Sequence, residues 1–387
     1  MEKLRFGIVG VGNMGSAHQK NFMEGKMPEA VLTAICDIDE AKRAASLEKY
    51  PDVKVFDDAE ALFQSGLVDA VIIAVPHYDH PRLVIRALEC GLHVITEKPA
   101  GVYTKQVLEM NEAAKKSGKL FGIMYNQRTN PIYQKLREMI QSGELGRIKR
   151  IQWTIDWYRL QAYHDSAAWR STWATEGGGT LINQNPHQLD LWQWMFGMPK
   201  KIMSHVYFGK YRDIEVEDEV TAFMEYENGM TGVYITSTAE TPMTNRIEIA
   251  CDMGRVIVEN NKIIFDKLAM PEPEFNKITK EAFKLLDYET IELDVDSSGG
   301  PQHVGIFNDF ISAVLHGTPL LAPGLEGING LTISNAIHYS TWIGNKWVDV
   351  DNFPHDDFWA ELQKRIKTSK VKTAVAPSKA ADLSNTY

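Results

Sequence analysis

Cysteine is scarce. Cys36, Cys90 and Cys251 are scattered through 387 residues with no C-x-x-C spacing, and the first and second of them sit in apolar patterns. Such thiols read as inert core residues in a reducing compartment. Long apolar runs are missing too. Runs such as residues 70–75 are far too short to span a bilayer. Basic residues are in deficit, with 41 Lys and Arg against 51 Asp and Glu and a net charge of −10. That balance argues against nucleic-acid and anionic-membrane partners. No convincing metal-ligand spacing occurs. His77-x-x-His80 reads as the solvated start of a helix. The opening MEKLRFGIVG enters an apolar run at once, the pattern expected without a secretory leader, so a cytoplasmic location is expected.

What remains is ordinary soluble-protein chemistry, 44% apolar and 24% charged, at a length that suits two domains. One stretch organises the chain. The apolar run Leu4–Val9 ends in Gly10-Val11-Gly12-Asn13-Met14-Gly15, and a helical pattern follows over 14–23. This is strand, G-x-G-x-x-G, helix. Gly10 permits the tight turn, Gly12 leaves room for a pyrophosphate against bare backbone, and Gly15 lets the helix approach the strand. The helix N-terminus offers free N–H groups to the phosphates. A second run, 31–36, ends in Asp37, at the distance of the acid that holds the adenosine ribose. A 2′-phosphate would meet like charge there, and no Arg follows at Ile38 or Asp39, so NAD is expected over NADP.

The strand–helix rhythm continues to about residue 124, with strands at 53–56, 68–75, 92–96 and 120–124. Six strands with helical crossovers predict a doubly wound parallel sheet. Ligands in such sheets lie beyond the carboxyl ends of the strands, which points to Pro76-His77-Tyr78 and Glu97-Lys98-Pro99. After Asn126 the pattern changes. A helix is expected over 131–142, then period-2 strands at 148–157, 202–208, 220–226, 230–238, 245–251 and 255–258, interrupted by a helix over 183–196. Glu227-Asn228-Gly229 and Asn260-Asn261 read as hairpin turns. Helices return over 303–316 and 327–343. The expected division is 1–126, an NAD-binding Rossmann domain; 127–366, an α+β domain with an open, mainly antiparallel sheet for substrate and self-association; and 367–387, a tail or arm.

Two constellations carry chemistry. Lys98, after the fifth strand, can donate to a substrate hydroxyl, and desolvation would lower its pKa. The run Gly177-Gly178-Gly179 through Asn183, Pro186, His187 and Asp190 combines close backbone approach with an imidazole suited to proton transfer. Asn183 and His187 are four apart, so on one helix they share a face, and Asp190 would orient the ring. Between the constellations lies an aromatic stretch, Trp153, Trp157, Tyr158, Tyr163, Trp169 and Trp173, with Arg159, Asp165 and Arg170. Core packing and stacking on a sugar ring both suit it.

Together these motifs, with Pro323-Gly324-Leu325-Glu326-Gly327 near the end, resemble the glucose–fructose oxidoreductase/inositol dehydrogenase (Gfo/Idh/MocA) family. The resemblance implies an NAD(H)-dependent oxidoreductase acting on a secondary alcohol of a sugar, glycoside or cyclitol, and a homodimer or homotetramer. Lys98 and His187 match the family's catalytic pair. The expected cofactor contacts are Gly10, Gly12, Asn13, Met14, Gly15, Asp37, Pro76, His77, Glu97 and Lys98. The expected substrate contacts are Asn126, Arg128, Tyr163, Trp169, Arg170, Asn183 and His187, with no metal. The sequence departs from many members at Asn183, where Asp is common, and at Asn185, where Gly is. The Asn-Gln…His version resembles the branch that oxidises glycosides at C3. A glycosidase or lyase using tightly held NAD, and a non-catalytic sensor, are the alternatives.

Overall fold

The computed structural model describes residues 3–370 and Lys372. Six short strands form the first sheet: β1 (Leu4–Val9), β2 (Ala30–Cys36), β3 (Lys54–Phe56), β4 (Ala70–Ile73), β5 (His93–Thr96) and β6 (Phe121–Ile123). Their order is β3-β2-β1-β4-β5-β6, and every pair is parallel. The order reverses between β1 and β4, so a crevice opens beyond the carboxyl ends of those strands. Val71, Ile72 and Ile73 have no exposed surface, as a strand covered on both faces requires.

Nine strands form the second sheet: β7 (Ile148–Asp156), β8 (Lys201–Phe208), β9 (Glu217–Glu225), β10 (Thr231–Ser237), β11 (Asn245–Cys251), β12 (Gly254–Glu259), β13 (Lys262–Leu268), β14 (Tyr288–Leu293) and β15 (Val348–Asp349). The order is β14-β13-β12-β11-β7-β10-β9-β8-β15. The sheet is open and antiparallel except where β7 runs parallel to β10. Both expected hairpin turns form. Gly229 adopts φ +82, and Asn260 and Asn261 adopt φ 53 and 56, the left-handed pair of a two-residue hairpin. The sequence pattern stopped one strand short of that second hairpin's partner, and β14 and the helix Glu272–Ile278 were also missed. Those last two elements are mostly exposed, so no buried face imposes a period on them.

Helices Pro131–Ser142, Pro186–Phe196 and Gly327–Trp342 supply the core of one sheet face. The chain then returns to its beginning. Ile306, Phe307, Phe310 and Ile311, from helix Gln302–His316, join the core of the first sheet, with Phe307 edge-on to Phe6 at 5.8 Å. Gly122 of β6 also bridges Pro323.

Two expectations need correction here. The helix over 183–196 begins at Pro186; residues Thr180–Gln184 form a separate π-type turn. Asn185 causes the break: its N–H reaches back five residues to the Thr180 carbonyl at 2.7 Å, and its side chain donates to Thr180 Oγ1 at 2.6 Å and Thr236 Oγ1 at 2.7 Å. The expected tail start at 367 also moves. Helix His355–Thr368 runs through it, and Lys372 then donates to the His164 carbonyl at 2.8 Å. The rest of the tail, Val371 and residues 373–387, lies outside the described residues.

Candidate active site

The glycine loop has the shape its sequence asks for. Gly10 sits at φ +90, and a Cβ there would lie 2.4 Å from the Ala74 carbonyl oxygen. A Cβ on Gly15 would lie 1.8 Å from the Gly10 carbonyl oxygen, so the helix can approach only as glycine. Gly12 faces open space and begins helix Asn13–Met23 without a side-chain cap. The N-terminal turn of that helix, which holds Asn13 and Met14, therefore stands at the glycine loop with no side-chain cap, the arrangement of a cradle for a diphosphate. Asp37 closes one rim. Its carboxylate accepts from Val11 N at 2.8 Å and Asp39 N at 2.9 Å, which fixes its orientation and leaves lone pairs for ribose hydroxyls. Lys42 Nζ lies 3.9 Å from that carboxylate, and Arg43 donates to the Asp37 carbonyl at 2.8 Å. These cations sit one helical turn beyond the two positions the sequence reading weighed.

Beyond β5, Glu97 is buried and hydrogen-bonded to His18 Nε2 at 2.6 Å. Burial alone would raise its pKa; the His18 contact outweighs this and holds it at about 2. Lys98 donates from Nζ to the backbone carbonyl of Asn183 at 2.8 Å. Burial pushes the ammonium down to about 8, against the opposing pull of Glu97. His187 stands in the first turn of helix Pro186–Phe196 with its ring edge-on to Tyr125 at 6.4 Å. Burial, with Lys98 adding to it, lowers its pKa well below 6.5. At neutral pH the cleft holds an ammonium that can shed its proton and an imidazole held neutral.

Four expected contacts turn out differently. Asn183 is outside the His187 helix, and its amide donates to Glu176 and, at 3.3 Å, to the Tyr163 hydroxyl. Asp190 does not orient His187: it takes a two-pronged contact from Arg128, at 2.6 and 2.8 Å, and accepts from Gln193. Arg128 is 1% exposed and also reaches Glu326 Oε2 at 2.6 Å and the Leu321 carbonyl at 3.0 Å. It is an internal clamp, with four hydrogen bonds to Asp190, Glu326 and the Leu321 carbonyl. His77 and His80 are buried, not solvated; His77 Nδ1 contacts the Glu176 carbonyl oxygen at 3.0 Å, and His80 bridges the carbonyls of Pro99 and Val75. Pro76, the cap before them, is exposed.

Asn126 is fully buried and donates to Gln302 Oε1 at 2.7 Å. Tyr163 is the hub of the aromatic stretch. Its hydroxyl takes donors from Arg170 Nη1 at 2.7 Å, Gln184 Nε2 at 3.1 Å and Asn183. Arg170 lies 4.4 Å from the ring centres of both Tyr163 and Trp169, and Trp169 meets His77 edge-on at 5.3 Å. The sequence reading missed Glu176. This buried carboxyl is pushed up to about 7 by burial, against Arg170 and its hydrogen bonds. Its one sequence signal was its place directly before the glycine triplet. Among the described residues no group of three metal-ligating side chains could hold an ion, and no described helix is long and apolar enough to cross a membrane.

Comparison with known proteins agrees with this two-sheet fold. Residues 4–125 match the model of the oxidoreductase family, NAD-binding Rossmann fold, and residues 133–257 match the GFO/IDH/MocA C-terminal domain. The chain is 28% identical over 243 residues to D-glucoside 3-dehydrogenase of Escherichia coli, covering 58% of this chain and 68% of that one. It is 25% identical over 265 residues to myo-inositol 2-dehydrogenase of Thermotoga maritima, covering 66% and 75%. Among solved structures, the WlbA dehydrogenase from Bordetella pertussis, in complex with NADH and UDP-GlcNAcA, superposes with a TM-score of 0.77 at 25% identity. That match covers 90% of this chain and 99% of that one.

Proposed function

Because the chain belongs to the GFO/IDH/MocA family of NAD-binding oxidoreductases, we propose that it moves a hydride between NAD(H) and a secondary alcohol of a sugar, glycoside or cyclitol, C3 of a glycoside being the favoured position. The observation that carries this reading is the Lys98–Asn183 contact at 2.8 Å. It joins the end of β5 to the glycine-triplet turn, so the lysine and the His187 helix border one cleft beside the glycine loop.

NAD fits the cradle above Gly12 and the Asp37 rim, and when bound it supplies the hydride acceptor. The residues of the chain do the rest. Lys98, with a pKa of about 8, takes the hydroxyl proton once it is itself deprotonated. His187, held neutral, donates its ring N–H to the oxygen of the same hydroxyl and orients it. Asn183 keeps the lysine aimed through its carbonyl, and Tyr163, Trp169 and Arg170 border the sugar side. The relatives named for glucosides and inositols support the substrate class.

Residues 1–126, and the chain from 127 through helix His355–Thr368, are proposed as the cofactor and substrate units. The outer face of the nine-stranded sheet, where Tyr207 and Phe223 are 40% and 43% exposed, is proposed as the surface of a homodimer or homotetramer, and the cytoplasm as the location. A screen of sugars, cyclitols and glycosides for NADH absorbance, with NMR of the product, tests the function. NADH should accumulate with at least one polyhydroxylated substrate, and kcat/KM should rise with pH to a plateau above the Lys98 pKa of about 8. An inflection well below 6.5 would instead make His187 the base.

A further inference from the structure

Three arginines border the sugar side of the cleft with few acids to meet them. In a chain with 51 acidic against 41 basic residues, an arginine ordinarily finds a carboxylate. Arg159 has none in ion-pair reach among the described residues. It donates to the Tyr158 carbonyl at 2.9 Å and lies over the rings of Trp157 and Tyr163, at 5.6 and 5.2 Å. Arg212 has none either; it donates to the carbonyls of Arg159 and Tyr211, at 2.8 and 3.0 Å. Arg170 comes nearest to a pair, with Glu176 Oε1 at 3.9 Å. That carboxyl is already held by Ser171 N and the Asn183 amide. Of the other acids nearby, Asp165 pairs with Lys372 at 3.3 Å and accepts from Gln161, and Asp218 accepts from the backbone N–H groups of Lys210, Tyr211 and Arg212.

The free edge of Arg170 is the informative part. Its faces are covered by Tyr163 and Trp169, and Nη1 is spent on the Tyr163 hydroxyl. Nε is buried with no hydrogen-bond partner, and none is formed by Nη2 among the described residues. A buried guanidinium edge left unpaired costs free energy unless a ligand fills it. The Nε–Nη2 edge is the fork that binds an oxyanion through two parallel hydrogen bonds. It is also close to the chemistry, since the Tyr163 hydroxyl and the Asn183 amide link Arg170 to the residue whose carbonyl holds Lys98.

We propose that the substrate carries an oxyanionic group, a carboxylate or a phosphate, and that Arg170 reads it with Arg159 and Arg212 supplying the surrounding positive field. Cyclitols and plain glycosides, which lack such a group, would bind less well. The inference rests on the dehydrogenase reading for the chemistry but not for the anion site itself.

The test is a titration of the full-length enzyme, loaded with NADH, followed by the fluorescence of its tryptophans. Glucose, glucuronate and glucose 6-phosphate form one series, and galactose, galacturonate and galactose 1-phosphate another. At least one acidic sugar should bind about tenfold or more tightly than its neutral parent, and added salt should narrow the ratio. A preference for the uronates identifies a carboxylate, and one for the phosphates a phosphate. Arg170→Gln should collapse the ratio; if that variant does not fold, Arg159→Gln on the rim should reduce it severalfold. If no acidic sugar binds more tightly than its neutral parent, the proposal is overturned. If the acidic preference holds while no sugar yields NADH, the anion site stands and the dehydrogenase reading fails.

Discussion

Lys98→Met should make the protein more stable and inactive at once. The ammonium sits in the cleft with its pKa pushed by burial from 10.5 to about 8. A shift of that size corresponds to about 3 kcal/mol of penalty on the folded state at neutral pH. Part of the side chain still meets solvent, and screening trims the figure to about 2 kcal/mol. Methionine keeps most of the stem and removes the charge. It also gives up the hydrogen bond to the Asn183 carbonyl, a loss of about 1 kcal/mol. The net expectation is a gain of about 1 kcal/mol at pH 7 in the protein without cofactor.

The sign with pH follows from where the proton sits. Between about 8 and 10.5 the unfolded chain keeps a proton on Lys98 that the folded chain has shed. The wild type therefore gains stability as pH rises through that window, and the penalty is in full force below it. The advantage of the variant should shrink or reverse by about pH 9.5, a swing of about 1 to 2 kcal/mol. Urea denaturation of both proteins at the two pH values measures it, alongside NADH production, which should fall at least about a hundredfold. A variant less stable than wild type at pH 7, or a gap that does not move with pH, refutes the reasoning.

Other outcomes follow from the same geometry. Wild type should prefer NAD over NADP by about tenfold or more in kcat/KM, and Asp37→Ser should narrow the ratio because Lys42 and Arg43 are placed to receive a 2′-phosphate; equal use of both cofactors by wild type contradicts this. Asn183→Asp sets a new carboxylate against Glu176 and Tyr163, so the pair should share one proton and the Lys98 limb of the pH–rate profile should move up by about one unit, and an unmoved limb counts against it. Asp190→Asn removes the two-pronged partner of a buried guanidinium and should cost about 3 kcal/mol in denaturation, with a loss below about 1 kcal/mol arguing that Glu326 alone holds Arg128.

The first sheet and the strands β7 to β12 of the second were legible because they carry burial as a period. Residues 70–73 read as a covered strand through unbroken apolar character, and β9 and β10 through alternation around Gly229. The placement of the glycine loop after β1, of Asp37 after β2, of Lys98 after β5 and of His187 near the start of a helix was legible because each position follows directly from the strand and helix pattern. The errors cluster where a side chain chooses among partners far apart in sequence. Spacing pairs Asp190 with His187, but Arg128, 62 residues earlier, takes it. Spacing also puts Asn183 on the His187 helix, but Thr180 and Thr236 capture Asn185 and break it. Local pattern contains no information about such competition. Glu176 was passed over for a related reason, since its role comes from His77, Arg170 and Asn183 converging on it.

The return of the chain to its own beginning has a consequence for how the protein is made. Phe6 and Phe22 are packed by Phe307, from a helix that ends at His316. During synthesis the first sheet emerges complete in its strands but without that cover. About 190 further residues must leave the ribosome before Phe307 arrives, which at about 5–20 residues per second takes on the order of ten seconds or more. For that interval the nascent cofactor unit lacks the cover of Phe307 over Phe6 and Phe22, the kind of exposed apolar surface that favours aggregation. Removing residues 302–316 would make the interval permanent, and the truncated chain should accumulate as aggregate even though every strand of its first sheet is intact.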